Sequence, residues 1–476
     1  MHMFQNQEQD RLKTYKRILK NSPTVFGAVM KQQEQVRTLS QEECVLAPAL
    51  NGFVLWVLQE AMKKKIQRLY FLARDGYFMY RCACVYCQKL QLPIECRYLC
   101  CSRYSLRIPL FHMDLEDALE YICRGGIDVT IDKILNRAGL TEAEKQEVIE
   151  DAGLHYENKE VIPYAKLGEI RTKLEDSNLF LDYLCKHSKK ALPGLRKYLE
   201  QEGMLEETRS ALVDSGWVGS MEKTLNFILK KWGRKEEIPG FYWGLYELPK
   251  DVSRTQYHCY SFSPEKGLKE KVYFSNCLFE TIFSAPHGMT MRYDTETGKP
   301  QFGPCDSNRK VFLEKQEERL MDFTGKMVCE IAKTQKNKKA LEQQDSENYK
   351  RVVHQILRLF MGKPTKEEAE TYGTLEFSDD VLDDSRQQVA VSMNGAELKA
   401  NHVFHKALVM LGLGHDYIKE SAWYEGSAAR NGKKVGYHLF MYRLYKYLLY
   451  IRKTHYYKKS RREKYMLEVK KQGEQR

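Results

Sequence analysis

Two rhythms of apolar residues divide this chain. Residues 41–65 repeat apolar positions at three- and four-residue spacing, entered from the capping pattern "SQEE" at Ser40, and predict an amphipathic helix. A short apolar run over 67–73 predicts a buried strand, a helix follows over 77–90, and "CRYLCCS" at 96–102 predicts a second strand. Strand, helix and strand at this spacing predict one parallel βαβ unit with a right-handed crossover. From about 113 to 205 the pattern turns helical and charged, which predicts an inserted helical region. The strand rhythm returns in "SALVDSGWVGSMEKTLNFILKKW" (210–232), with "ALV" as strand, "DSGWVGS" as turn and the remainder as helix. Further strands are predicted at 238–247 and 257–263. Beyond 305 helices dominate, one of them capped at Pro364 and Thr365, and "WYEGSAARNGKK" (423–434) reads as a glycine-rich flexible link.

The expected fold class is therefore α/β, a Rossmann-like mainly parallel sheet with a helical insertion, followed by a mainly helical C-terminal domain. The expected boundaries are 1–40 for an N-terminal helical segment, 41–305 for the α/β domain with its insertion at about 113–205, 306–432 for the helical domain and 433–476 for a basic amphipathic tail.

Charge changes this picture at one end only. Residues 433–476 carry 14 Lys or Arg against 3 Asp or Glu, so +11 of the net charge of +12 sits there and the body is nearly neutral. On a helix, Arg443, Lys446, Tyr450 and Lys453 form one polar stripe, with Phe440, Leu444, Leu448 and Ile451 largely away from it. A cationic amphipathic helix of this kind suits an anionic membrane surface, contacted through residues 437–465, and the alternative is a docked terminal helix. Nucleic acid is disfavoured, because the charge is not spread over a folded face. No run of about 18 apolar residues is seen and the N-terminus lacks an apolar leader, so the expected location is cytoplasmic, peripheral to the inner face of the membrane if the tail engages lipid. The thirteen cysteines lack the spacing of a disulfide scaffold, and Cys82, Cys84 and Cys87 lie on different faces of one helix, so packed thiols are expected and no metal site.

The candidate chemistry collects at predicted strand ends, where α/β folds keep their ligands. Arg74, Asp75 and Gly76 end the first strand, Arg103 follows the second, and Asp214, Gly216, Trp217, Gly219 and Ser220 turn the third into a helix. Backbone N–H groups at such a corner suit a phosphate, and Gly219 is expected to approach the ligand by its backbone. Asp75 and Asp214 are the candidate base or hydroxyl ligands, His287 in the loop "APHGMT" is a third catalytic candidate, and Glu280 precedes it on a short helix. The alternative at these positions is a tight turn and a structural ion network. No cofactor is specified by the pattern.

The stretches "YFLARDGY", "CSRYSLRIP", "LVDSGWVGS", "FETIFSAPHGMT", "GKPTKEEAETYG" and "ESAWYEGS" resemble, in this order, a bacterial family linked to surface-polysaccharide loci. In longer members the corresponding region follows a hydrolase domain of the haloacid dehalogenase type. The resemblance covers about residues 45–430 and implies a surface-glycan context. The hydrolase's own catalytic set is not here, since its nucleophilic Asp needs a second acid two residues later, Asp214 is followed by Ser215 and Gly216, and "DVTID" (128–132) has the wrong spacing. Two functions are expected from these readings: a transferase or hydrolase acting on a phosphorylated sugar or nucleotide sugar, or a noncatalytic binding or scaffold protein of a glycan assembly complex.

Overall fold

Five short strands alternate their side chains between two apolar layers. Leu69 and Phe71 of β1 (Arg68–Leu72), Ala211 and Val213 of β3 (Ser210–Trp217), and Phe241 and Trp243 of β4 (Gly240–Leu245) face one layer. Tyr70 and Leu72 of β1, Leu99 of β2 (Glu95–Leu99) and Leu212 of β3 face the other. With β5 (Tyr257–Phe262) these strands form one sheet in the order β2-β1-β3-β4-β5, and every pairing is parallel. Strands buried on both faces explain the near-continuous apolar runs. In this computed structural model residues 2–35, 39–126, 129–155, 160–333, 341–342, 344–378, 386–410 and 418–474 are described, with backbone only at 2–7, 35, 378, 386, 410 and 460–474.

The first layer is roofed by α1 (Ala47–Lys63) and α2 (Gly76–Leu90), the second by α3 (Asn178–Gln201) and α4 (Ser220–Lys231). The capping pattern at Ser40 is only half realised: its backbone N–H donates to the Glu43 carboxylate at 2.8 Å, but no side chain caps the π-helical turn Glu42–Leu46 that precedes α1. The expected amphipathic pattern of α1 is corrected: nearly every residue from Ala47 to Met62 is buried. Glu42–Lys63 is also long and apolar enough to cross a membrane, contrary to the sequence reading, yet 83% of its most apolar window is buried inside the fold.

The helices between β2 and β3 form an insertion with its own apolar cluster, running from Phe111 to Leu184. Its last helix, α3, ties it to the sheet through Leu195, Tyr198 and Leu199. After β5 come α5 (Asn276–Ile282), the antiparallel pair β6 (Thr290–Tyr293) and β7 (Pro300–Phe302), α6 (Ser307–Ala332) and α7 (Ser346–Phe360). The helices after 305 do not enclose a separate main core. One cluster joins Leu12 and Tyr15 near the N-terminus, Phe53 of α1, Trp243 of β4, Phe323 of α6, Ile356 of α7 and Trp423.

One reading of the C-terminal region is overturned, and of the two offered for the tail the docked helix is observed. Residues 423–434 are not a flexible link: Trp423 is fully buried, its Nε1 donating to the Met361 carbonyl at 2.7 Å, and α8 (Tyr424–Asn431) follows with most of its residues buried. Gly426 is small because a Cβ there would lie 2.4 Å from the Trp423 ring. The polar stripe of the terminal helix α9 (Val435–Glu474) faces inward. Arg443 donates to the Gly362 carbonyl, Lys446 is 7% exposed and pairs with Glu425 at 3.3 Å, and Tyr450 stacks on Tyr246.

Candidate functional site

Strand order reverses at β1, whose parallel neighbours are β2 on one side and β3 on the other. The carboxyl ends of β1 and β3 therefore flank the switch point of the sheet, the place where doubly wound sheets accept ligands. Immediately past β1 lie Arg74 and Asp75, after a cis Ala73–Arg74 peptide. Gly76 then starts α2 with its Cα against the end of the strand, since a Cβ there would stand 3.1 Å from the Phe71 carbonyl carbon.

β3 runs on further than the apolar run "ALV" predicts, pairing with β4 through Gly216 and Trp217. That extension carries Asp214 and Ser215 to the end of β1, where Ser215 Oγ donates to Asp75 Oδ2 at 2.6 Å. Asp214 is held by the backbone N–H groups of Ser215 and Gly216. Trp217 follows in the left-handed region at φ 70°, uncommon for a residue with a side chain, and its indole N–H donates to Glu280 on α5. The Trp217 ring is fixed among Tyr246, Phe262, Phe274 and Phe279. Asp75, Asp214 and Glu280, separated by up to 205 positions in the chain, thus feel one another as charges in one place.

Their proton affinities follow. Burial, then the neighbouring Asp75, pushes Asp214 up to about 7. Burial and Asp75 push Glu280 up to about 8, against the pull of the Trp217 hydrogen bond and Arg103. Burial raises Asp75 as well, opposed by the Ser215 hydrogen bond and by Arg74, Arg103 and Arg309. Like charges crowded in a poorly solvated site share protons, so the cluster can give or take one near neutral pH. Arg103 opens the helical turn Arg103–Arg107, which Ser102 caps by accepting from the Ser105 backbone N–H. It is exposed to solvent while standing close enough to influence all three acids.

The same end of the sheet receives His287. Its Nδ1 donates to the Gly288 carbonyl at 2.8 Å, which leaves Nε2 to accept from the Tyr98 hydroxyl at 2.8 Å. Burial lowers its proton affinity and Arg74 adds to the effect. The imidazole is neutral with both nitrogens engaged, which describes a fixed wall better than a free base.

The glycine corner differs from its reading. Gly219, at φ 70°, is the N-cap residue of α4, and a Cβ on it would meet Tyr257 Cε1 at 2.7 Å. Its conformation and packing both require glycine, so the expected close approach to a ligand is not what explains it. Gly216, at φ 109°, would place a Cβ 2.6 Å from the Gly244 carbonyl oxygen. Ser220 is the first helical residue and its carbonyl accepts from Thr224 Oγ1 at 3.0 Å. Sequence reasoning missed Ser215, Tyr98 and Arg309. Ser215 lay unmarked inside a quoted motif, and Arg309 begins a polar helix with nothing local to distinguish it.

Among the described residues no group of three or more His, Cys, Asp or Glu side chains is arranged to hold a metal ion. Comparison with protein-family models gives no match, and comparison with curated proteins gives none.

Proposed function

We propose that the site at the ends of β1 and β3 binds a phosphorylated sugar or nucleotide sugar and acts on it as a transferase or hydrolase. The observation that carries this reading is the convergence of Asp75, Asp214 and Glu280 with Arg74, Arg103 and Arg309. Guanidinium groups suit phosphate oxygens, and carboxyls suit sugar hydroxyls or a transferable proton. In this reading Arg103 takes the phosphate, Asp214 holds or removes the hydroxyl proton, and Glu280, steadied by Trp217, sets the charge of the pair. The resemblance of the motifs to the surface-polysaccharide family supports a glycan precursor as the ligand source.

Thermal-shift measurement against sugar phosphates and nucleotide sugars tests the binding step. A ligand at 100 times its Kd adds about 2.7 kcal/mol of stability. The shift is expected in the wild type and lost in Arg103→Gln, at an exposed position. A screen without any shift would sink the reading. Product analysis with the ligand that shifts then separates catalysis from sensing: Asp214→Asn should retain binding and lose turnover, whereas binding without turnover in the wild type assigns the noncatalytic role.

A further inference from the structure

The outward face of α9 carries an apolar row left open among the described residues. Phe440, Leu444, Leu448 and Ile451 are 64%, 38%, 53% and 50% exposed, and Tyr437 begins the same line. Steps of three, four, four and three residues hold all five in one stripe of a helix. The opposite stripe is already committed to the body through Arg443, Lys446 and Tyr450. Turning the helix over to hide the row would strand the Lys446–Glu425 pair, so the exposure is a property of the folded state. A contiguous apolar row on a surface marks a contact site.

Charge selects the partner. Lys433 and Lys434 precede the row, and exposed Arg452, Lys458 and Lys459 follow it. Residues 433–476 hold 14 cations against 3 anions. A second copy of the chain would bring the same excess to the same face and be repelled. An anionic bilayer satisfies both halves, with apolar side chains entering the acyl boundary and cations meeting headgroups. We propose that α9 lies along an anionic membrane surface with Phe440, Leu444, Leu448 and Ile451 inserted and the exposed Arg452, Lys458 and Lys459 on the headgroups. It is independent of what the ends of β1 and β3 bind.

Flotation of the whole protein with vesicles of phosphatidylcholine, alone or mixed with phosphatidylserine, tests it. The wild type is expected to float with the mixed vesicles, to remain behind with phosphatidylcholine alone, and to be released by high salt. Phe440→Asp combined with Leu448→Asp, at two exposed positions, should lower the partition about tenfold or more with an unchanged near-UV spectrum. Lys458→Glu with Lys459→Glu should lower it to a similar degree on mixed vesicles. A wild type that never floats overturns the proposal, as does a Phe440/Leu448 variant that floats equally well. Sedimentation showing a dimer that this variant dissociates would assign the row to a second copy and overturn it too.

Discussion

Burial raises the proton affinity of Asp214 and Glu280, and this ties folding to pH with a definite sign. A native value above the unfolded one means the folded chain holds the extra proton, so stability falls as pH climbs from the ordinary carboxylate range towards about 7 for Asp214 and about 8 for Glu280. Asp214→Asn removes that cost, and urea unfolding should find it more stable than the wild type by roughly 1–3 kcal/mol near pH 8, with a smaller gap near pH 5. A gap that does not change with pH would contradict the assignment. The glycine corner gives a second expectation. Gly219→Ala combines a left-handed backbone with a contact against Tyr257 and should cost roughly 1–3 kcal/mol, and Gly216→Ala should cost more because a backbone oxygen cannot swing aside. The same denaturation curves check both. At this scale Arg74, Asp75, Arg103 and Asp214 were legible because charges at the ends of apolar strands stand out, whereas Arg309 was not. The partner of each was not, since Ser215 reaching Asp75 and Trp217 reaching Glu280 depend on strand pairing across more than sixty positions.

Elements were legible where one physical signal dominated. The apolar runs of β1 and β2 and the periodicity of α2 and α4 place those elements within a few residues of their observed ends. β3 was cut short because serine and glycine hide an extended conformation that pairing with β4 enforces. α8 was taken for a link because small residues resemble a spacer, whereas here they allow close packing on Trp423. The docking of α9 was left as one of two alternatives because the partners of its polar stripe, the Glu425 carboxylate and the carbonyls of Gly362 and Phe274, come from other elements. Removing one member of the buried pair leaves the other uncompensated: Lys446→Ala should cost roughly 3–5 kcal/mol, and Lys446→Met with Glu425→Leu much less. Equal losses in the two variants, measured by chemical denaturation, would show that the charges themselves matter little.

The whole molecule closes one face of its sheet with helices from both termini. Arg11 and Tyr15 both bind Glu368, and α6 and α7 pack in the cluster that contains Phe53 and Trp243. Hydrogen exchange should therefore show α1, β4, α6 and α7 opening together, while the insertion, with its separate cluster, opens at lower free energy. Independent opening of α6 and α7 would contradict the shared core. This architecture has a consequence for synthesis. Glu42–Lys63 has the length and composition of a membrane-spanning helix and is hidden by residues that follow it by up to 360 positions. At the usual pace of translation it emerges about 15–60 s before α7 exists to cover it. During that interval the helix lacks the cover of α6 and α7, so this side of the core closes only once residues 307–360 have been made.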